Sequence, residues 1–295
     1  MASKARALVA RYRIADGRKF RLAEHDPDET GGLDHDRALE RLAKGVSKLS
    51  DLQRSLYANG RWALLAVFQA MDAGGKDGTI SHVMSGVNPQ GVSVTSFRQP
   101  GPVELAHDYL WRIHAALPER GHIGIFNRSH YEEVLVARVH PQVLDAQKLP
   151  EPLGQGAGKD RFWKHRYKDI RSFERYVARQ GIVPLKFFLH ISKEEQRKRL
   201  LARLDDTTKF WKFSAGDLKE RALWDTYQDA YEEAIIETAR PEARWFAVPA
   251  NNKWFAHLVV VETLIDAIER LSLKPPEPED EAVLAAARHE LEAEG

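Results

Sequence analysis

Two aspartates and a lysine lie around a short glycine turn, in the stretch QAMDAGGKDGTI at residues 69–80. An apolar run, Trp62 to Phe68, precedes the turn, and a helix-like segment follows it from Thr79. Glycines let the backbone approach an anion closely, and the first amides of a helix point at that anion. The turn is therefore predicted to bind phosphate, with contacts from Ala73, Gly74, Gly75, Lys76, Asp77, Gly78 and Thr79.

The turn matches the phosphate-loop pattern G-x-x-x-x-G-K-[ST] only in part. Ala70 occupies the first glycine position, and Asp77 follows Lys76 where Ser or Thr normally holds magnesium. Because carboxylates are good magnesium ligands, Asp72 and Asp77 are the expected replacements. The expected ion is Mg2+, with Mn2+ as an alternative. The competing interpretation of the stretch is a plain tight turn.

A second group of polar residues follows another short apolar strand, Gly121 to Asn127. In open α/β sheets, ligands bind at the carboxyl ends of the strands, so this strand brings the segment FNRSHYEE to the ligand-binding edge. A nucleophile–base pair of Ser129 and His130 is disfavoured, because no distant aspartate is marked out as a third member. Glu132 and Glu133 are expected to bind a metal or nucleotide amino groups, or only to cap the following helix.

A basic stretch, Gln196 to Lys212, holds six basic and two acidic residues. Arg199 and Arg203 are four residues apart and share one helical face. We predict that residues 196–222 form a lid over phosphate, and the alternative is a solvated helix face with salt bridges. A second basic block, Lys159 to Arg175, has aromatic residues that are expected to pack in the core rather than to stack on bases; they are Phe162, Trp163 and Phe173.

Apolar runs and helical periodicity predict five strands that alternate with helices. The strands are expected at residues 62–68, 92–97, 121–127, 182–191 and 245–248. Helices are expected at residues 36–57, 102–117, 131–139, 159–180 and 254–271, from Thr79 onwards, and after a Ser192–Glu195 capping box. This alternation implies an α/β fold in three layers, with a parallel five-stranded sheet and helices on both faces. One domain at residues 36–272 is expected between an irregular N-terminal extension, 1–35, and an acidic tail, 273–295. The extension has short strand-like pieces around Tyr12 and Phe20.

Charge is unevenly distributed along the 295 residues, whose formal net charge is +1. Residues 275–295 contain seven acidic residues and one basic residue, so the tail carries −6 and residues 1–274 carry +7. A basic body suits a polyanionic partner, and the tail is interpreted as a solubilising extension. The absence of cysteine excludes disulfides, thiolate nucleophiles and cysteine-ligated zinc.

The chain has no apolar run of about 18 residues, and its N-terminus has no signal-peptide core. We therefore expect a cytoplasmic protein that has neither a membrane nor a nucleic acid as its partner.

Several stretches together resemble the polyphosphate kinase 2 family, and the resemblance covers roughly residues 10–272. The matching stretches are QAMDAGGKDGTI at 69–80, FNRSHYEEVLVARV at 126–139, KFFLHISKEEQRKRLLARLDD at 186–206, KFWKFSAGDLKERALWDTYQDAYEEAI at 209–235 and VPANNKWFAHLVVVETL at 248–264. The family is similar in fold to thymidylate kinases, which have a phosphate-loop α/β core and a helical lid. The resemblance thus implies a phosphate-loop kinase-like fold.

The resemblance also implies an activity, a reversible and magnesium-dependent transfer of the terminal phosphoryl group between inorganic polyphosphate and a nucleotide. The Asn-Arg-Ser-His-Tyr form of the second motif resembles class III, whose members phosphorylate both AMP and ADP. ATP, GMP and GDP are further expected nucleotides, and a homo-oligomer, either a dimer or a tetramer, is the expected assembly. Two other interpretations stay open: an ATP-dependent nucleoside or nucleoside monophosphate kinase, and a polyphosphate-binding module without turnover.

Roles for individual residues follow from the matching positions. Asp72, Lys76 and Arg128 are implied as the catalytic group, and Asp72 and Asp77 as metal ligands. Asn127 stands where other branches of the family carry an aspartate, so metal binding is expected to depend more on Asp72. The residues implied to close over the phosphate chain are Arg199, Arg203 and Lys209. Those implied to contact the nucleotide are Asn127, Ser129, His130, Tyr131, Glu132 and Glu133.

Overall fold

A six-stranded sheet forms the centre of the protein in a computed structural model that describes residues 2–150, 157–274 and 276–294, apart from the side chains of residues 2–4, 157, 209 and 212. The strands are β1 (Arg13–Ile14), β2 (Ala63–Gln69), β3 (Val92–Ser96), β4 (Ile123–Asn127), β5 (Ile182–His190) and β6 (Arg244–Pro249). Their order across the sheet is β1-β6-β5-β2-β4-β3.

The sheet is parallel except at its β1 edge, where β1 and β6 are antiparallel. β2 lies between β4 and β5, with Phe68 opposite Asn127 on one side and Phe187 on the other. Every residue of β2 is buried, as is usual for a strand covered on both faces. The predicted α/β fold is therefore confirmed.

The prediction of five strands was wrong by one, because β1 adds a sixth. Arg13 pairs with Phe246, and Ile14 pairs with Trp245. The sequence indicated a short strand-like piece around Tyr12, next to β1, but two residues are too few for the alternation of apolar and polar positions that would assign a strand to the sheet.

Two groups of helices surround the sheet. The α-helices of the described residues are α1 (Ala2–Tyr12), α2 (His35–Asn59), α3 (Lys76–Val83), α4 (Pro102–Leu105), α5 (Trp111–Ala115), α6 (Val136–Val139), α7 (Ala157–Arg179), α8 (Lys193–Leu204), α9 (Ala215–Ala222), α10 (Trp224–Thr238), α11 (Lys253–Arg270) and α12 (Glu281–Ala293). Helices α1, α2 and α3 pack against α11, whereas α6 and α7 contact α10. The first group reaches β5 through α11, and the second group reaches it through α7.

The N-terminal segment is more regular than predicted. Residues 2–12, expected to be irregular, form α1, in which Val9 and Tyr12 are each 2% exposed. Arg6 of this helix forms an ion pair with Asp266 of α11 at 3.5 Å. The burial of one face against α11 explains why this segment is helical. The division of the chain at residues 35 and 272 stays a prediction.

Two of the predicted helices are interrupted. Residues 102–117 form α4 and α5, with a turn between them in which the Asp108 side chain accepts from the Leu110 amide at 2.9 Å. An aspartate that bonds to the backbone two residues on favours a turn over a helix interior. Residues 131–139 form α6 at Val136–Val139, after a 3-10 helix at His130–Glu133.

The acidic tail ends in α12, and none of the residues of this helix is buried. Within the described part of the chain, no helix has the length and apolar character needed to cross a membrane.

Candidate active site

The glycine turn after β2 has a backbone shape that requires glycine at two positions. The Gly74 amide donates to the Met71 carbonyl at 2.9 Å, and a Cβ on Gly74 would lie 2.5 Å from the Cβ of Ala70. Gly75 is left-handed, with φ of +94°, and stands at the N-cap of α3. The helix begins at Lys76, earlier than predicted, and no side chain caps it among the described residues.

The start of α3 presents free amides on one side of the turn. The amides from Gly75 to Gly78 have no partner inside the helix, and they are therefore available to an anion. Thr79 is different, because its amide donates to the Gly75 carbonyl at 2.9 Å and its residue is only 2% exposed. The Thr79 amide is therefore engaged inside the helix, and the predicted phosphate contact of this residue stays a prediction. Ala73 has φ of +60°, in the left-handed region that a non-glycine residue rarely occupies.

Lys76 folds back over the turn, where its Nζ donates to the Ala70 carbonyl at 2.9 Å. Burial, and then the neighbouring Arg128 guanidinium, lower the pKa of Lys76 from 10.5 to about 8. The Asp72, Glu132 and Asp77 carboxylates act in the opposite direction. A bound polyanion is expected to raise the pKa of Lys76, since added negative charge favours the protonated form.

Arg128 joins the end of β4 to the glycine turn. Its amide donates to the Phe68 carbonyl at 3.1 Å, and its φ is +64°. Its guanidinium donates to Asp72 Oδ1 at 3.1 Å and to Glu132 Oε2 at 3.2 Å. Mainly because of Glu132, the pKa of Arg128 is raised above its ordinary value. With 42% of its side chain exposed, the guanidinium still faces the open site. The structure therefore brings Asp72, Lys76 and Arg128 together, as the sequence predicted.

A second bond joins the same two segments, between Asn127 Nδ2 and Asp77 Oδ1 at 2.6 Å. Each candidate metal ligand, Asp72 or Asp77, is thus paired with a residue at the end of β4. Among the described residues, no cluster of three or more histidine, aspartate or glutamate side chains has the geometry of a metal site. The two carboxylates of Asp72 and Asp77 fit Mg2+, because this ion in phosphate-binding enzymes takes one or two carboxylates together with water and substrate oxygens.

Ser129, His130 and Tyr131 face the interior, so the structure places them away from the exposed surface of the site, and their contact with the nucleotide stays a prediction. Each of the three residues is at most 1% exposed. Ser129 Oγ accepts from the Gln69 side chain and from the Tyr131 amide, both at 3.1 Å. Gln69 is the last residue of β2, so these bonds fasten the segment after β4 to the strand that carries the turn.

Tyr131 belongs to a buried polar network around Lys186 of β5. Its hydroxyl donates to Glu174 Oε1 at 2.7 Å. Lys186 is fully buried, and its Nζ donates to Tyr131 Oη at 3.0 Å, to Glu174 Oε2 at 2.7 Å and to the Thr238 carbonyl at 2.9 Å. The network connects the segment after β4 to β5, α7 and α10, and so it fixes the backbone that carries Arg128.

The two neighbouring glutamates point to different places. Glu132 pairs with Arg128, whereas Glu133 accepts from Arg166 Nη1 at 3.0 Å and from the Gln147 side chain at 2.5 Å. Glu133 lines a cavity of about 790 Å3 between α4, α5 and α7. The cavity has aromatic and charged walls, which include Glu104, Tyr109, Arg112, Glu133, Phe162 and Arg166.

The aromatic residues of α7 divide between core and cavity. Trp163 and Phe173 are 1% and 5% exposed, so the prediction that they pack in the core is confirmed. Phe162 is only partly buried, and it lines the cavity with Arg166 5.0 Å from its ring centroid. Phe162 also packs against the core, as predicted, and sequence reasoning missed only its exposure to the cavity.

The predicted lid begins with a helix that is fixed to the body. Ser192 caps α8 through the Glu195 amide at 3.1 Å, as predicted, but the Glu195 carboxylate pairs with Arg199 at 2.7 Å instead of completing the box. Arg199 is 9% exposed and donates to the carbonyls of Ala73 at 3.2 Å, Ala250 at 2.5 Å and Asn251 at 3.0 Å. Arg199 thus lies beside the glycine turn with its donors on backbone carbonyls, and its closure over phosphate stays a prediction.

The part of the lid after α8, residues 205–222, is called the distal lid below. It contains a 3-10 helix at Thr207–Lys212, and α9, which has no buried residue. Arg203, near the end of α8, pairs with Asp217 of α9 at 3.4 Å. Burial and then the charge of Asp72 raise the pKa of Asp217, which places α9 within electrostatic reach of the glycine turn. The Lys209 side chain lies outside the described residues.

Sequence reasoning also missed Gln196, which is 1% exposed and donates to the Asp72 carbonyl at 3.0 Å. A signal was present, because positions 196, 199 and 200 share one face of α8 and all three are buried. A glutamine and an arginine on the same face as Leu200 indicate polar side chains that bond inside the fold.

Comparison with known proteins points to one family. Residues 32–275 match the family model described as Polyphosphate kinase 2. The ADP-polyphosphate phosphotransferase of Rhodopseudomonas palustris is 52% identical over 238 residues, which cover 81% of each chain. The AMP/ADP-polyphosphate phosphotransferase of Meiothermus ruber is 48% identical over 273 residues, which cover 92% of this chain and 97% of the relative.

A solved structure agrees with these matches. The crystal structure of Polyphosphate Kinase 2 from Arthrobacter aurescens TC1 superimposes with a TM-score of 0.86 at 40% sequence identity. The superposition covers 98% of this chain and 97% of that chain. The fold of this chain is thus shared, over nearly its whole length, with a solved protein titled Polyphosphate Kinase 2.

Proposed function

The chain belongs to the polyphosphate kinase 2 family, and we propose on this basis that it transfers the terminal phosphoryl group of inorganic polyphosphate to AMP or ADP. The observation that carries the proposal is the convergence of Asp72, Lys76 and Arg128 at a glycine turn with free helix amides. Phosphoryl transfer needs placement and positive charge more than covalent chemistry, and this site supplies both. The reverse reaction uses the same site.

The terminal phosphates of the chain bind at the glycine turn. The amides at the start of α3 and the Lys76 ammonium hold their oxygens, and Arg128 reaches them with the planar fork of its guanidinium. Charge on the phosphoryl oxygens in the transition state is stabilised by these fixed donors. Mg2+ held by Asp72 and Asp77 would neutralise part of the phosphate charge.

We place the nucleoside of the acceptor in the cavity next to Glu133. Tyr109 and Phe162 provide flat apolar surface for a base, and Glu104 and Asp169 provide hydrogen-bond acceptors. Glu133 lines this cavity, and the adjacent Glu132 pairs with Arg128. In this placement the phosphate of the acceptor extends out of the cavity to Arg128.

The finer features of the activity rest on the resemblance of the chain to its family. They are Mg2+ or Mn2+ as the ion, GMP and GDP as further acceptors, a homo-oligomeric assembly and a cytoplasmic location.

The test is a reaction of the purified protein with polyphosphate, Mg2+ and either AMP or ADP, without ATP. The expected result is ADP and ATP from AMP, and ATP from ADP. The absence of any product in both reactions contradicts the proposal. A matched reaction with ATP as donor and a panel of nucleosides and nucleoside monophosphates distinguishes an ATP-dependent kinase. Retention of labelled polyphosphate without product distinguishes a binding module.

A further inference from the structure

The Gln196 side chain contacts both the glycine turn and the distal lid. Its Nε2 donates to the Asp72 carbonyl at 3.0 Å, and its Oε1 accepts from Arg221 Nη1 of α9 at 2.9 Å. Arg221 Nη1 also donates to the Lys193 carbonyl at 2.6 Å, at the first turn of α8. With Gln196 at 1% exposure, one buried amide connects the residue proposed to bind metal with a helix that has no buried residue of its own.

The chemistry of these contacts explains why an amide stands at this position. The Asp72 carbonyl needs a donor, and the Arg221 guanidinium needs an acceptor, since it has donors only. A glutamine side chain offers one of each in a single planar group. A glutamate would satisfy only the arginine, and a methionine of similar size would satisfy neither. Because the Gln196 side chain is buried, its donor and its acceptor are costly to leave without partners, so the two contacts restrain the turn and α9 together.

The next carbonyl of the turn is held from the same helix. Arg199 donates to the Ala73 carbonyl at 3.2 Å, and Ala73 has φ of +60°. α8 therefore fixes the backbone at both residues 72 and 73. The two residues differ in their second partners. Gln196 bonds to Arg221 of α9, whereas Arg199 bonds to the carbonyls of Ala250 and Asn251.

We propose that Gln196 is a positioning residue for phosphoryl transfer, which couples the placement of α9 to the backbone that carries Asp72. The inference rests on the proposed function. Arg221 is its partner on the lid, and neither side chain needs to touch substrate. When α9 is in place, the amide holds the Asp72 carbonyl, and the carboxylate is directed to the phosphate site. When the bond to Arg221 is lost, the turn loses the restraint that sets this direction.

Steady-state kinetics with polyphosphate and ADP test the coupling through Gln196→Met, Arg221→Met and the double variant. Each single change is expected to lower kcat at least about tenfold, because small misplacements of reacting groups are costly. The KM for ADP is expected to change less than about threefold. The double variant is expected to be no slower than the slower single variant, since both changes break one connection. Arg221→Lys, which keeps a donor, is expected to recover most of the lost kcat.

Two controls match the chemistry of these changes. Gln90→Met alters an exposed glutamine, and Arg54→Met alters an exposed arginine of α2 that pairs with Asp51. Both are expected to leave kcat unchanged. An unchanged kcat in Gln196→Met and Arg221→Met, or losses that multiply in the double variant, overturns the proposal. Thermal unfolding of each variant shows whether it is folded at the assay temperature.

Amide hydrogen exchange gives a readout that does not need turnover. In Arg221→Met, the amides of residues 70–76 are expected to exchange faster, although Arg221 donates its hydrogen bonds to Lys193 and Gln196 of α8. Unchanged exchange of these amides in a folded Arg221→Met protein overturns the coupling, whether or not the wild type is active. If the wild-type protein shows no phosphotransfer and these amides still exchange faster in Arg221→Met than in wild type, the coupling is supported and only the proposed function is contradicted.

Discussion

Arg128 Nη2 lies 3.1 Å from Asp72 Oδ1, and this bond joins two segments 56 residues apart in the chain. One partner follows β4, and the other follows β2. The same guanidinium contacts Glu132, so its fork is oriented by two carboxylates before any substrate is present. Such preorganisation removes the need to reorient charges during the reaction.

The first prediction concerns the fork of Arg128. Arg128→Lys keeps the positive charge but cannot hold Asp72 and Glu132 at once, and we expect kcat to fall about 100-fold. The free energy of unfolding is expected to fall by no more than about 1 kcal/mol, since this ion pair is partly exposed. Enzyme kinetics and urea denaturation measure the two effects. Arg54→Lys, on the exposed face of α2, is the matched control, and equal kinetics in both variants contradict the assignment.

The second prediction concerns pH. Because the pKa of Lys76 is lowered to about 8, the free enzyme loses this positive charge as the pH rises through 8. The kcat/KM for polyphosphate, which reports the free enzyme, is expected to fall above that pH. In Lys76→Arg the guanidinium stays protonated, so the fall is expected to move to higher pH. An unchanged profile in this variant excludes Lys76 as the titrating group.

The sign for stability is the opposite of the sign for activity. Between about pH 8 and the ordinary value of 10.5, the unfolded chain keeps the Lys76 proton and the folded chain does not. This group therefore raises the free energy of unfolding as the pH increases through that window. Urea denaturation of wild type and of Lys76→Met at pH 7.5 and pH 10 isolates the contribution, and equal changes in the two proteins contradict it.

The third prediction concerns the cavity beside Glu133. Phe162→Ala removes a flat wall, and we expect the KM for AMP to rise about tenfold. The KM for polyphosphate is expected to stay the same, because the chain binds at the glycine turn. A rise in the KM for polyphosphate with no change for AMP would mean that the cavity holds the donor.

The fourth prediction concerns the buried network below Arg128. Lys186→Met leaves the Glu174 carboxylate buried without its cation, at 3% side-chain exposure, and is expected to cost about 3 to 5 kcal/mol of unfolding free energy. The double change Lys186→Met, Glu174→Gln is expected to recover part of that loss. Urea denaturation measures both. A double variant less stable than Lys186→Met alone shows that the lost charge pairing is not the cause.

The sequence was sufficient to predict elements with a strong local signal. The apolar run of β2 and the glycines after it predicted the turn. This prediction succeeded because β2 is fully buried and Gly75 has the left-handed backbone that favours glycine. The meeting of Asp72 with Arg128 followed from the topology, because parallel strands end at one edge of the sheet.

Other features depend on tertiary contacts that no local pattern contains. Arg199 and Arg203 looked alike on a basic helix, yet one lies against backbone carbonyls of the body and the other pairs with Asp217 of α9. The resemblance to the family implied a nucleotide contact for Tyr131, yet its hydroxyl is buried and accepts from Lys186 of β5. Only the packed structure decides which polar side chains become internal supports.

The strained backbone of Ala73 has a consequence for protein engineering. A left-handed alanine is disfavoured by roughly 1 to 2 kcal/mol, so contacts from outside the loop are needed beside the bonds within it. Arg199 grips it from a helix that lies far along the chain. If the sequence QAMDAGGKDGTI were grafted between a strand and a helix of another protein, we would thus expect the loop to lose its phosphate-binding conformation unless α8 were grafted with it.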